Sequence, residues 1–179
     1  MAELTVVERL VADLLACRQL DPRTAAEPLQ RNCERLRTML GVPSFARPGI
    51  YRRMLLHRCS RFELLLLDWG EGAQSAIHDH GGQSCTVLVL DGAVDIDDFI
   101  YEGAGSNHAR LSHVRTSDQL GSGMLDARRD DANAIHRVRT STGARTLHVY
   151  AAPIDTCGMY DLLTHARTER ALHYDACRL

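Results

Sequence analysis

The 179-residue sequence contains no lysine, so all 21 of its basic side chains are arginines. Any cationic contact with a ligand therefore has to come from a planar guanidinium. There is no basic block and the formal net charge is -2, which argues against nucleic acid as a partner. No apolar run approaches the ~20 residues that a membrane-spanning helix needs, so no membrane partner is expected. Glu3, Glu8 and Asp13 stand where a secretory signal needs a basic head and an unbroken apolar body, and the chain reads as cytoplasmic. Cys17, Cys33, Cys59, Cys85, Cys157 and Cys177 are scattered without a C-x-x-C pair. They support neither a disulfide framework nor a zinc knuckle and read as reduced thiols, several of them in the core. No internal repeat or low-complexity tract appears.

What is present is the ordinary composition of a folded globule, 45% hydrophobic and 25% charged, at a length that suits one domain over 1–179. Residues 4–18 space Leu4, Val7, Leu10, Val11, Leu14 and Leu15 at helical intervals, predicting an amphipathic helix. Asp21-Pro22 is a helix-start signature, and Leu29, Cys33, Leu36 and Leu40 continue a helical period until Gly41-Val42-Pro43. Pro28 interrupts that pattern and predicts two short helices or a kink.

From Pro48-Gly49 onward the texture changes to strand-length runs: YRRMLLHR, FELLLLDW, SAIHDH, CTVLVLDG, VDIDDFIY, HARLSHVRT, ANAIHRVRT and ARTLHVYAAP. Residues 101–110 and 117–132 read as loops, and the polar tail 164–179 as a surface wrap. Helices followed by many strands predict a mainly β, α+β fold. Its N-terminal helices (1–48) would pack on one side of an antiparallel barrel or jelly roll (49–163).

Two histidines one residue apart, His78 and His80, lie in a glycine frame that begins at Gly72 and turns at Gly81-Gly82. On a strand both imidazoles leave the same face and form a two-pronged metal claw. His136 in N-A-I-H-R-V-R-T, between apolar Ile135 and Val138, is the best third ligand. Three neutral imidazoles bind a first-row divalent ion and leave positions open for substrate. Thr146, His148 and Tyr150 share one face of their strand and form a row able to relay hydrogen bonds. Arg52 and Arg53 point to opposite faces, so at most one enters the barrel to take a carboxylate; periodicity does not say which.

The Gly72–Gly92 stretch resembles the first cupin motif, with Cys85 at the position where that motif usually has glutamate. Three neutral ligands keep the full charge of the ion and favour an anionic ligand such as a thiolate. The chain further resembles the cysteine dioxygenases, non-haem iron cupins that add both atoms of dioxygen to a thiol. The resemblance runs from about Tyr51 to Cys157. It is carried by W-G-E-G (69–72), S-x-I-H-D-H (75–80), Ser84-Cys85, I-H-R-V (135–138), L-H-V-Y (147–150) and P-x-D-T-C (153–157).

That resemblance implies a cupin barrel with Fe(II) held by His78, His80 and His136. Tyr150 is then the active-site tyrosine, accompanied by His148, Thr146 and Cys85. Arg53 takes the substrate carboxylate, with Tyr51 on the same face and Cys157 nearby. The small-thiol substrate and dioxygen are the partners, and the chain acts as a monomer. Relatives acting on 3-mercaptopropionate typically carry glutamine at the Arg53 position and arginine at the Cys157 position, which places this chain on the cysteine side. It departs from the family at Thr140, where asparagine is common, and at Ala151-Ala152-Pro153, where Ser-Pro-Pro is common. The expected activity is oxidation of L-cysteine to cysteine sulfinate. The alternatives are a dioxygenase for another small thiol and a metal-binding cupin of non-oxidative function, since three histidines also suit zinc. Family members with the cysteine corresponding to Cys85 link it to the tyrosine as a thioether, which implies a Cys85–Tyr150 cross-link here.

Overall fold

The computed structural model describes residues 5–41, 45–102, 110–128 and 134–177. In chain order the elements are α1 (Val6–Ala16), α2 (Pro22–Leu40), β1 (Tyr51–Arg58), β2 (Glu63–Trp69), β3 (Ile77–His78), β4 (Cys85–Glu102), β5 (Arg110–Gly121), β6 (Leu125–Arg128), β7 (Ile135–Arg139), β8 (Ala144–Tyr150), β9 (Thr156–Tyr160), β10 (Arg167–Ala171) and β11 (Ala176–Cys177). No described helix is long and apolar enough to cross a membrane.

Both helices begin where their capping chemistry puts them. Thr5 and Glu8 form a reciprocal capping box on α1, and Asp21 accepts from the amides of Arg23 and Thr24 with Pro22 in the first turn of α2. Of the two outcomes expected from Pro28, two short helices are excluded, since α2 is one 19-residue helix with Pro28 inside it. A proline removes the amide that would bond the carbonyl four residues back. Here that carbonyl, on Thr24, accepts from the Cys17 thiol instead at 3.5 Å, and the helix continues.

The strands form two layers joined by β4, antiparallel except at the β1–β11 pair. One layer runs β11-β1-β2-β8-β4 with β6 along the outer side of β4, and the other runs β4-β7-β3-β9-β10 with β5 beside β4. The runs CTVLVLDG and VDIDDFIY, expected as two strands, are one strand that changes layer. Register shifts between Val89 and Asp91 and between Val94 and Ile96 bend it. Gly92 sits at the bend with φ +72°, and a Cβ there would lie 2.2 Å from the Gly143 carbonyl oxygen.

Two apolar clusters divide the first layer by parity. Leu64, Leu66, Leu88, Leu90, Leu147 and Val149 face the helices and meet Leu10, Leu14, Leu29 and Leu36. Leu65, Leu67, Trp69, Val87 and Val89 face inward, toward the second layer. The unbroken apolar run in FELLLLDW is therefore a strand buried on both faces, each leucine contributing about 1.5–3 kcal/mol of burial.

Two further expectations are corrected. Most of 117–132 is strand: β5 extends to Gly121 and β6 follows after a tight turn, because β4 is long enough to template both. Residues 103–109 and 129–133, which complete the expected loops, lie outside the described residues. The tail lies mostly exposed, as expected, but it also joins the sheet, since β10 pairs with β9 and β11 runs parallel to β1. Leu172 and Tyr174 turn inward against the inner cluster while His173 and Asp175 point out.

Gly92→Ala should lower stability by about 2 kcal/mol or more, combining a left-handed backbone with overlap on a carbonyl. Gly121→Ala, where a Cβ meets nothing nearer than 3.9 Å, should be nearly neutral. Denaturant melts of the two variants check the contrast.

Candidate metal centre

Between the two layers lies a cavity of about 50 Å³, room for a few waters or part of a small ligand. His78, at the end of β3, is directly opposite His136 on β7 in the register. The strand at 75–80 is shorter than expected and His80 falls just beyond it. The turn through Gly81 (φ +58°) and Gly82 (φ +82°) still returns its ring to the same space. The three rings meet edge-on at centroid distances of 4.7–5.5 Å, and one nitrogen of each lies within 4.8 Å of the others.

These residues fit a metal ion. The Nε2 atoms of His80 and His136 are 3.2 Å apart, within the roughly 2.9–3.4 Å that two nitrogens each ~2.0–2.1 Å from one ion would span. The His78 Nδ1–H donates to the Ala76 carbonyl at 3.0 Å, which leaves its Nε2 lone pair free for coordination. Burial lowers the pKa of all three imidazoles, most strongly at His80 and His136. They are therefore neutral ligands at pH 7.

Asp79, between the two claw histidines, was not singled out from the sequence. It ties the claw to the second layer by accepting from the amides of Gly81 (3.0 Å) and Gly158 (2.8 Å), the Tyr160 hydroxyl (2.7 Å) and Arg167 (3.3 Å). Burial works to raise its pKa, but these donors outweigh it and hold the carboxyl below its ordinary value. Gly158 is needed here, since a Cβ would lie 2.2 Å from the Asp79 carboxylate. The middle residue of H-D-H points away from the claw by strand parity, but nothing local indicates what it meets.

On β8, Thr146, His148 and Tyr150 share the inner face as expected. Their hydrogen bonds do not run as expected. Trp69 Nε1–H donates to Thr146 Oγ1 at 2.8 Å, and that hydroxyl lies 2.8 Å from His148 Nε2. His148 and Tyr150 lie with ring planes 22° apart and centroids 6.2 Å apart, and share no hydrogen bond. The row begins at Trp69 and ends at His148. Burial pushes the His148 pKa down to about 3 and raises that of Tyr150 well above its ordinary value.

Cys85 is the register partner of Tyr150 on the neighbouring strand. Its pKa is raised by burial and by Asp126, against opposing contributions from Arg128 and from a hydrogen bond with the tyrosine. Arg53 lines the cavity and Arg52 is exposed, resolving the choice left by periodicity. Among the described residues the Arg53 guanidinium makes one hydrogen bond, from Nη1 to the His173 carbonyl at 3.0 Å, which leaves the Nε–Nη2 edge undocked. Tyr51 stacks on Trp69 at 4.6 Å. Cys157 also lines the cavity, its thiol pushed up to about 11 by burial. Thr140, one of the departures, donates to the Ala93 carbonyl and accepts from the Gly143 amide, so it pins a turn. Ile154, Met159 and Leu172 complete the apolar wall and carried no signal in the sequence.

A curled antiparallel β-fold with three histidines facing one cavity, two of them buried, defines a β-barrel protein with a candidate metal site. The family described as cysteine dioxygenase type I matches residues 44–162, and the chain belongs to that family. It is 33% identical over 107 residues to cysteine dioxygenase type 1 of Homo sapiens, covering 58% of this chain and 52% of that protein. With the Rattus norvegicus protein the identity is 32% and with that of Danio rerio 28%, at the same coverage. The chain thus spans about half the length of the curated relatives it matches. Among solved structures, an RmlC-like cupin protein from Desulfovibrio desulfuricans aligns with TM-score 0.44 and 19% identity over 66% of this chain and 96% of that one. A hydroquinone 1,2-dioxygenase aligns with TM-score 0.45 and 13% identity over 60% and 67%.

A buried His148 that refuses a proton costs stability in acid. The unfolded chain binds that proton below about pH 6.5 while the folded one does not until about pH 3. Stability should therefore fall with pH through this window, by up to ~1.4 kcal/mol per pH unit for this group. In metal-free protein, denaturant melts at pH 7.5 and 5.5 should show the loss, and His148→Gln should reduce it.

Proposed function

We propose that this chain is a non-haem iron(II) thiol dioxygenase that oxidises L-cysteine with dioxygen to cysteine sulfinate. The observation that carries this reading is that three neutral imidazoles and one guanidinium line one small cavity. A thiol and a carboxylate on one small molecule match those two features.

His78, His80 and His136 would hold the iron, which when bound supplies the redox chemistry that joins dioxygen to sulfur. Arg53 takes the substrate carboxylate through its Nε–Nη2 edge, and Tyr51, fixed on Trp69, closes the wall beside it. The apolar lining from Ile154, Leu172 and Val138 excludes bulk water, which strengthens each charged contact inside. Tyr150 keeps its proton because of burial, so its hydroxyl is a hydrogen-bond donor to an oxygen species beside sulfur. His148, within hydrogen-bond distance of Thr146, packs beside that phenol. The chain acts in the cytoplasm, a setting in which its unpaired cysteines stay reduced.

Protein purified without chelators and loaded with iron should take up oxygen on addition of cysteine, more than on addition of 3-mercaptopropionate. Stoichiometric zinc and no uptake after iron loading would favour a cupin of non-oxidative function, and a reversed preference would point to another thiol. Arg53→Gln should raise KM for cysteine by an amount equivalent to roughly 1.5–3 kcal/mol while sparing cysteamine, which has no carboxylate. The same pattern in Arg52→Gln alone would reverse the assignment.

Cys85 and Tyr150 face each other across a strand pair, and we propose that turnover joins them. A bond forms between the sulfur and the phenol ring carbon beside the hydroxyl, the S–H and that ring C–H bonds break, and dioxygen takes up the two protons and two electrons as hydrogen peroxide. Peptide mass spectrometry of turned-over protein should find two joined peptides lighter by two hydrogens, absent from Cys85→Gly. That variant should be slowed rather than inactive. Separate, intact peptides after many turnovers would remove the cross-link and leave the dioxygenase reading in place.

A further inference from the structure

The guanidinium of Arg53 is held almost entirely by residues 172–177, a segment with no motif of its own. The amide of Arg53 donates to the Asp175 carboxylate at 2.8 Å, and the Asp175 amide donates back to the Arg53 carbonyl at 2.8 Å. Met54 and Leu55 then pair with Ala176 and Cys177 in a parallel bridge. At the side chain, Nη1 donates to the His173 carbonyl at 3.0 Å and the guanidinium lies 5.6 Å from the Tyr174 ring centroid. Backbone, charge and stem are thus all fixed by one stretch of chain. At its other end the Leu172 amide donates to the Asp155 carbonyl, and Leu172 itself lines the cavity.

The strap is anchored at a buried charge. Glu63, at the start of β2, is wholly buried, and its Oε2 accepts from the Tyr174 hydroxyl at 2.8 Å. Arg58 Nη1 lies 3.3 Å from the same oxygen and donates to the Tyr174 hydroxyl at 2.6 Å. A register shift between Leu55 and His57 makes this possible by turning Arg58 to the face of Glu63. The remaining oxygen, Oε1, has no hydrogen-bond partner and stands 4.0 Å from Arg53 Nη2. It is too far to engage the guanidinium and close enough to offset its charge before a ligand arrives.

We propose that residues 172–175, anchored to Glu63 through Tyr174, form a specificity strap that fixes the guanidinium of Arg53 at the cavity wall and so selects thiols bearing a carboxylate. This rests on the reading of Arg53 as the carboxylate ligand. Without the strap the arginine keeps its charge but loses the fixed direction that a bidentate contact requires. Tyr174 and Asp175 are positioning residues: neither has its side chain on the cavity wall, and each acts through Arg53.

The test is anaerobic calorimetric titration of iron-loaded protein with L-cysteine and with cysteamine, alongside the bound-iron content. Tyr174→Leu removes the ring beneath Arg53 and the bond to Glu63, and Asp175→Ala removes the carboxylate that accepts from the Arg53 amide. Each should weaken cysteine binding roughly three- to tenfold, with cysteamine affinity and iron content unchanged. Arg53→Gln should abolish the preference of the wild type for cysteine over cysteamine. If it does, and both strap variants keep the wild-type preference, the strap is overturned while the carboxylate reading stands. If Arg53→Gln itself leaves the preference intact, the carboxylate reading fails and the strap with it. Equal weakening of both ligands, or loss of iron, would show a structural role for the strap and overturn its part in selection.

Discussion

The arrangement depends on a helix layer covering one face of the β1-β2-β8-β4 sheet. Once Leu147 and Val149 are committed to Leu29 and Leu36 through that outer cluster, the pleat gives Thr146, His148 and Tyr150 no choice but the inner face. The same constraint acts on β2, where Leu64 and Leu66 go out and Leu65, Leu67 and Trp69 go in. A slip of one residue at either strand would bury the polar row under the helices and remove the acceptor for the Trp69 indole.

Against this scaffold the second layer is positioned by polar contacts. The claw strand is only two residues long, and two residues of ladder hold little by themselves. Asp79 makes up the difference, drawing the amides of Gly81 and Gly158 and the side chains of Tyr160 and Arg167 onto one carboxylate. The cost of burying that charge is offset by the number of donors. The imidazoles thus stand on a small rigid unit, as a site that must hold three nitrogens within an ion's reach requires.

Charge inside the barrel is arranged in opposition. Burial keeps the three ligand imidazoles and His148 neutral, which leaves Arg53 as the cationic side chain on the cavity wall. Glu63 lies behind it, its anion balanced by Arg58 and the Tyr174 hydroxyl. A ligand that brings one negative charge to the cavity meets a guanidinium on its wall, with the Glu63 carboxylate 4.0 Å from that guanidinium's Nη2.

Much of this was legible in the sequence because it is local. Helical spacing in 4–40, the His78-x-His80 claw with its glycine turn, and the parity of Thr146, His148 and Tyr150 depend on chain geometry that repeats every few residues. So does the opposition of Arg52 and Arg53, although only the fold showed which side faced the cavity. The tertiary structure decided whatever depends on contact between distant segments. The thiol that lets α2 run through Pro28 lies outside that helix, and the register shift in β1 that turns Arg58 toward Glu63 leaves no local signature. The partners of Asp79 come from β9 and β10. The strap over Arg53 returns to β1 after 120 residues, and its L-H-Y-D alternation reads in isolation as a polar tail. Hydrogen bonds of this kind carry no sequence period, since what selects them is the free energy of satisfying groups that folding has already buried.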